Sequence, residues 1–172
     1  MAELLVVLVV VGTVGALAVP SFTGMLRSMR GATLASTFLS DLHLTRNEAI
    51  KRNARAVLCK SPDGMTCSTN GGWQAGWIVF QDSNNNGLFD ADEPLIRRQG
   101  PGQASLRLTG NSQVANYVSY SALGSPKLIS GAFQSGTFTL CSGQGVTADA
   151  RRIVLSATGN PRSQKGTAGD CL

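Results

Sequence analysis

ELLVVLVVVGTVGALAVPSF, residues 3–22, is the stretch that decides the fold of this chain. Between Glu3 and Pro20 it has no charged residue, and only two glycines and one threonine interrupt its apolar character. A helix over residues 4–19 is ~24 Å long, slightly short of a bilayer span but too apolar for an ordinary surface helix. The alternative is a cleaved secretory signal peptide. However, an acidic residue stands where basic residues are expected, and the helical pattern continues beyond the proline. We therefore expect the segment to be retained.

Apolar residues after Pro20 continue at helical spacing and predict an amphipathic helix to about residue 56; they are Phe22, Met25, Leu26, Met29, Ala32, Ala35, Phe38, Leu39, Leu42, Ala49 and Ile50. Short strand-like segments separated by glycine, serine, asparagine and proline follow at 56–60, 76–81, 94–98, 105–108, 117–121, 137–141 and 152–156. This order predicts an α+β fold with one long N-terminal helix packed on an antiparallel β-sheet head. We expect residues 1–26 to form the apolar transmembrane or filament-core half of the helix, and residues 27–172 to form the head.

Charge and cysteine content narrow the classes of function. The formal net charge of +5 over 172 residues permits binding to a polyanion without requiring it. The four cysteines form no C-x-x-C pair, which argues against a zinc ribbon or a redox motif. Their even number, together with a membrane-targeting N-terminus, predicts disulfides in an oxidising compartment, with three possible connectivities.

The N-terminal segment resembles the start of a type IV pilin or of a type II secretion pseudopilin, with Glu3 matching the family's glutamate and Pro20 its helix-kinking proline. In that family a prepilin peptidase removes a short leader before a start reading Phe-Thr-Leu-Ile-Glu, and the new N-terminal residue is methylated. Met1 and Ala2 depart from this start, so we expect the beginning of the precursor to be missing here. The resemblance implies that Glu3 neutralises the N-terminal amine of the adjacent subunit during assembly.

Later motifs resemble the FimT/FimU/GspH group of minor pilins and pseudopilins: GWIVFQD at 76–82, TFTLC at 137–141 and IVLS at 153–156. The resemblance implies a structural subunit that joins other minor and major pilins and primes and caps a type IV pilus. The helix would be anchored in the inner membrane at an assembly platform, with the head in the periplasm, before the subunit enters the filament. A DNA-binding pilin for natural transformation and an H-type pseudopilin of a type II secretion system are the alternatives. Family analogy also favours the disulfide pairs Cys59–Cys67 and Cys141–Cys171.

The segment 82–93 has the spacing of a calcium-binding loop, D-x-[DN]-x-[DN]-G-x5-E. Carboxylate, amide and backbone oxygens at these positions can wrap a calcium ion, and Gly87 allows the sharp turn; the candidate ligands are Asp82, Asn84, Asn86, Leu88, Asp90 and Glu93. The flanks read as strands and not as the helices of an EF-hand. A polar hairpin loop is the competing interpretation, since Asn, Asp and Gly dominate turns.

The C-terminal region carries a second candidate site, made of cations: Arg151, Arg152, Arg162 and Lys165. DNA-binding pilins of this group carry a G-R-x-R motif in the tail, to which Gly159 and Arg162 fit while Asn160 replaces the first arginine. Clustered cations suffice for non-specific phosphate binding. A solvated basic rim is the competing interpretation.

Catalytic patterns are missing from the sequence. There is no G-x-S-x-G motif and no P-loop, and the only histidine, His43, falls within the amphipathic helix. We therefore predict that the chain is not an enzyme.

Overall fold

The computed structural model describes residues 2–103, 105–142 and 149–171. Within these residues one helix, α1, spans Ala2–Arg52 and is followed by eight strands. They are β1 (Arg55–Lys60), β2 (Trp77–Asp82), β3 (Leu95–Gln99), β4 (Leu106–Gly110), β5 (Tyr117–Tyr120), β6 (Gly136–Ser142), β7 (Asp149–Leu155) and β8 (Pro161–Lys165). Short 3₁₀ helices lie at Trp73–Ala75, Ser112–Val114 and Ala168–Cys171. The α+β prediction is confirmed.

The strands form two antiparallel sheets, where the sequence had predicted one. We call them sheet A, in the order β3-β2-β1-β5, and sheet B, in the order β4-β6-β7-β8. The second half of α1 packs against strands of both sheets. Strand β8 escaped the sequence prediction because its residues after Pro161 are all polar and exposed, so it lacks the alternation that marks a half-buried strand.

Helix α1 ends at Arg52, four residues before the predicted end, because Asn53 adopts a left-handed conformation with φ of 49°. The Asn53 N–H donates to the Ile50 carbonyl and the Ala54 N–H donates to the Ala49 carbonyl, both at 3.2 Å. This pair of bonds is a Schellman motif, which satisfies carbonyls that the helix end would otherwise leave free. Strand β1 can therefore start at Arg55 and turn back along the helix.

The core is centred on Phe38 of α1, which is fully buried. Its ring lies 5.2 Å from that of Trp73, 5.1 Å from that of Trp77 and 4.8 Å from that of Phe138, all in edge-to-face arrangements. Since Trp77 belongs to β2 and Phe138 to β6, one helix side chain joins both sheets. Such aromatic pairs each contribute about 0.5–1.5 kcal/mol beyond their buried area.

A buried carboxylate fixes the position of α1 over sheet A. Asp41, 2% exposed, accepts a hydrogen bond from Trp77 Nε1 at 2.8 Å and pairs with Arg97 Nε at 2.9 Å. Both carboxylate oxygens are thus occupied, as a buried charge requires.

Two disulfides close loops of the head. Cys59 is bonded to Cys67, next to the end of β1, and Cys141 of β6 is bonded to Cys171 in the C-terminal 3₁₀ helix. The second bond ties the tail across one face of sheet B, where Cys141, Ala150 and Cys171 form a small apolar cluster of their own. This is the pairing that family analogy favours.

Candidate functional site

The start of α1 exposes an apolar surface. The apolar side chains at position 4 and positions 6–11 are between 53% and 66% exposed, and Glu3 is exposed beside them. The helix is continuous through position 20, although the side chain of Pro20 lies outside the described part of the structure. A contiguous apolar surface of this kind marks a site of interaction.

Among the described residues, no helix combines the length and the apolarity that crossing a membrane requires.

The loop 82–93 is held by hydrogen bonds between its own groups. Asp82, 1% exposed, accepts bonds from the N–H groups of Asn86 and Gly87, each at 3.0 Å. Glu93 accepts bonds from the N–H of Ser83 at 2.7 Å and of Asp90 at 3.2 Å. The carboxylates at both ends of the predicted ligand set are therefore engaged by backbone donors.

In the middle of the same loop, two side-chain amides donate hydrogen bonds to Asp90, the third carboxylate of the predicted ligand set. The side-chain nitrogens of Asn84 and Asn86 each donate to Asp90 Oδ2 at 2.8 Å, while Leu88 is 57% exposed. Burial raises the pKa of Asp82, with the Glu93 charge adding to this and the Gly87 N–H and the Arg55 charge opposing it. Among the described residues no group of three or more His, Cys, Asp or Glu side chains is placed to hold a metal ion. Calcium binding stays a prediction.

The four predicted tail cations lie on two different faces of sheet B. Side chains alternate along a strand, and Ile153 and Leu155 of β7 face α1 within the main core. Arg151 shares their face, opposite Lys165 of β8, whereas Arg152 points to the outer face. The structure therefore separates Arg151 and Lys165 from Arg152.

The outer face of sheet B carries three arginines. Arg162 pairs in register with Val154, which lies two residues from Arg152 on the same face. On β4, Arg107 pairs with Cys141 and donates from Nη2 to the Cys171 carbonyl at 2.6 Å. The sequence analysis missed Arg107, although its position between the buried Leu106 and Leu108 is the alternation that assigns a residue to a solvent face.

One carboxylate lies close to this face. Asp170 in the tail accepts hydrogen bonds from the backbone N–H and the hydroxyl of Thr167, and these bonds, with a smaller effect of the Arg152 charge, lower the pKa of its carboxyl. The two exposed arginines, Arg107 and Arg162, form no ion pair within the described parts of the chain. We call Arg107, Arg152 and Arg162 the basic face.

A long helix whose second half packs on antiparallel sheets, and which exposes apolar side chains near its start, defines a pilin-like subunit. Residues 34–159 match the family model described as Type II transport protein GspH. Because this match covers most of the chain, the chain belongs to the GspH family, as the resemblance of its motifs predicts. It is a minor pilin or pseudopilin, a structural subunit and not an enzyme.

Solved structures have the same fold. The type IV minor pilin FimU of Pseudomonas aeruginosa has a TM-score of 0.55 at 17% identity, over 80% of this chain and 89% of that chain. The minor pseudopilin EpsH of the Type 2 Secretion System of Vibrio cholerae has a TM-score of 0.51 at 13% identity, over 79% and 97% of the two chains. At these identities the likeness concerns the fold alone. No curated protein matches the chain.

Proposed function

We propose that this chain is a minor pilin of a type IV pilus, which joins other minor and major pilins to prime and cap the filament. The observation that carries the proposal is the set of exposed apolar side chains at positions 4 and 6–11 of α1, on the same helix whose second half contributes buried residues to the core of the head. Such a surface needs a covering partner. In the proposal, residues 1–26 lie in the inner membrane at the assembly platform before assembly, with the head in the periplasm, and lie against neighbouring subunits afterwards.

Glu3 and Pro20 have assembly roles in this proposal. The Glu3 carboxylate neutralises the N-terminal amine of the adjacent subunit, because an unpaired carboxylate beside an apolar run is costly in lipid. Pro20 removes one backbone donor and bends the helix, which a membrane segment tolerates. The prepilin peptidase of the family acts on the precursor before this step.

An H-type pseudopilin of a type II secretion system is the alternative structural role. It is supported by the description of the matching family and by the shared fold with EpsH. The fold alone does not separate the two roles, since FimU has it as well.

Deletion of the gene in its source bacterium tests the two roles with separate readouts: pili sheared from the surface and proteins secreted by a type II system. We expect loss of pili with secretion intact, restoration by the wild-type gene, and no restoration by Glu3→Gln. Glu48→Gln, which changes an ion-paired glutamate farther along the same helix, is the matched control and should restore pili. Loss of secretion with normal pili would instead support the pseudopilin role, and a deletion that alters neither would contradict both.

A DNA-binding role in natural transformation is the second candidate, and the basic face supports it. The disulfide-bound tail covers part of the outer face of sheet B, and three arginines on that face suffice for non-specific phosphate contacts. Arg151 and Lys165 lie on the opposite face, so we assign them no direct part in a complex formed on the basic face, and the sequence-based set of four cations changes accordingly.

A titration of the full chain in non-ionic detergent with duplex DNA at two salt concentrations tests this role. We expect salt-sensitive binding that Arg107→Ala and Arg162→Ala each weaken, with the salt slope falling by about one for each lost phosphate contact. Lys165→Ala is the matched control from the opposite face and should bind like the wild type. Absence of binding at low salt, or an equal effect of Lys165→Ala, would contradict a DNA site on this face.

A further inference from the structure

A groove of about 300 Å³ lies along α1 where the helix reaches the head. Leu34 and Leu106, which are 8% and 5% exposed, form its apolar floor. The helix adds Leu26 and Met29 on one side, and the connection between β3 and β4 adds residues between 99 and 103 on the other. The groove is therefore built jointly by the helix and the head.

Hydrogen bonds within the head hold the groove in shape. The Gly102 N–H donates to the Gln74 carbonyl at 2.7 Å, and a Cβ at Gly102 would lie 3.6 Å from the methyl carbons of Leu34. The Thr33 hydroxyl donates to the Met29 carbonyl at 3.0 Å, so this polar group of the groove is satisfied within the helix. The groove thus exists without a partner and offers apolar contact.

The start of α1 carries the matching chemistry but cannot reach the groove of its own chain. Arg30 is the one charged residue among those that line the groove; it is exposed, and no ion pair among the described residues includes it. Glu3 is the one charged residue of positions 1–26. The two lie 27 positions apart in one continuous helix, about 40 Å along its axis. An acidic, apolar helix start can therefore meet this groove only between two subunits.

We propose that the groove receives the start of α1 of a second copy of this chain, with Glu3 of that copy pairing with Arg30. If the two helices are parallel and Glu3 is level with Arg30, residues 4–11 lie level with residues 31–38, beside the groove floor. The entering side chains follow the i, i+3, i+4, i+7 pattern of a helix that binds in a groove; they are the exposed Leu4, Val7, Leu8 and Val11.

This contact extends the proposed filament role, on which its parallel orientation rests. Subunits that leave the membrane one after another keep the same orientation. The groove and the helix start are different surfaces of the chain, so the contact is heterologous and can repeat in an open series. Each contact shifts one copy by about 40 Å along the helix axis. A carboxylate accepts from more than one donor, so Glu3 can contact Arg30 of one copy and the N-terminal amine of another.

Cysteine cross-linking between two versions of the full chain in non-ionic detergent tests the contact. One version carries Val11→Cys and the other Thr37→Cys, at a groove position that the proposed alignment places beside residue 11. We expect an oxidised dimer in which mass spectrometry finds residue 11 linked to residue 37. Asn47→Cys, an exposed position on the same helix about 15 Å farther along, is the matched control for Thr37→Cys and should give no such dimer.

A charge exchange between the two versions tests the ion pair. Glu3→Arg in the Val11→Cys version, or Arg30→Glu in the Thr37→Cys version, should each lower the yield of dimer roughly tenfold, because a repulsion replaces an attraction. The two changes together should restore it, whereas Lys51→Glu in place of Arg30→Glu should not. These side chains are exposed, so the head keeps its fold.

Two results would overturn the proposal: a yield no higher than that of the Asn47→Cys control, which would leave the groove to lipid or detergent, or a yield that the exchanged charges do not restore. Either result, together with loss of pili on deletion of the gene, would remove this contact while the proposed pilus role stands.

Discussion

Phe38→Ala should be among the most destabilising substitutions in the head. A core aromatic side chain buries ~150–250 Å², which at ~25 cal/mol per Å² gives about 4–6 kcal/mol for the whole side chain. The β-carbon left in alanine keeps part of this, and Phe→Ala changes in cores cost about 3–5 kcal/mol. Because the ring contacts Trp73, Trp77 and Phe138 at 4.8–5.2 Å, partial collapse around the cavity would have to move both sheets. We therefore expect Phe38→Ala to lower the free energy of unfolding by about 4 kcal/mol.

Urea denaturation of the full chain in detergent, followed by tryptophan fluorescence, measures this cost. The corresponding fall in Tm is about 8–16 °C, taking ~2–4 °C for each kcal/mol at this chain length. Phe133→Ala is the matched control. Phe133 is 61% exposed, and the Lys127 ammonium lies 4.0 Å from the centroid of its ring. It should cost less than about 1 kcal/mol. A Phe38→Ala cost no larger than that of Phe133→Ala would refute the conclusion that this ring joins the two sheets.

Three further predictions concern loops of the head. If the loop 82–93 binds calcium, added calcium should raise Tm and a chelator should lower it. Asp90→Asn should weaken this effect, whereas Asp92→Asn, at an exposed position outside the ligand set, should leave it intact. A Tm insensitive to both reagents would contradict calcium binding. Hydrogen bonds from the Met65 N–H, and from the hydroxyl and N–H of Thr66, lower the pKa of Asp63 from 3.8. Its contribution to stability should therefore be complete above pH 3.8 and disappear as the pH falls through the lower folded-state value; carboxyl NMR titration measures this, and a pKa at or above 3.8 would contradict it. Replacing Cys141 and Cys171, 30 residues apart, by serine should lower the free energy of unfolding measured in urea by about 3–4 kcal/mol. The same change at Cys59 and Cys67, 8 residues apart, should lower it by about 2–3 kcal/mol. The reverse order would show that loop length does not govern these costs.

Much of the fold follows from local patterns. Helical spacing correctly placed Phe38 and Leu42 in the core, because these residues lie where α1 packs on the sheets. The same spacing included Met25, Met29 and Ile50, which are 57%, 52% and 49% exposed. A periodic apolar face shows which side of a helix seeks a partner, but it does not show how far along the helix the head extends.

The candidate sites were harder to predict, because they depend on strand register. The sequence placed Arg151, Arg152, Arg162 and Lys165 together by proximity along the chain. The pairing of β8 with β7 determines which face each of these side chains occupies. Strand β8 has no alternation of apolar residues from which the sequence could predict it. Arg107 joins the basic face from β4, across β6 and β7, over a sequence distance that no local motif spans.

Helix α1 has two segments whose effects can be separated by mutation. Its second half is fixed to the head by Phe38, by the Asp41 contacts and by the Asn53 end motif. The exposed apolar side chains at positions 4 and 6–11 add little to the stability of the head, since an exposed side chain has little buried surface to lose. Under the proposed function, head stability and filament assembly therefore depend on different segments of one helix. In the proposed assembly, the apolar half can adapt to lipid and then to neighbouring subunits while the structure of the head stays the same.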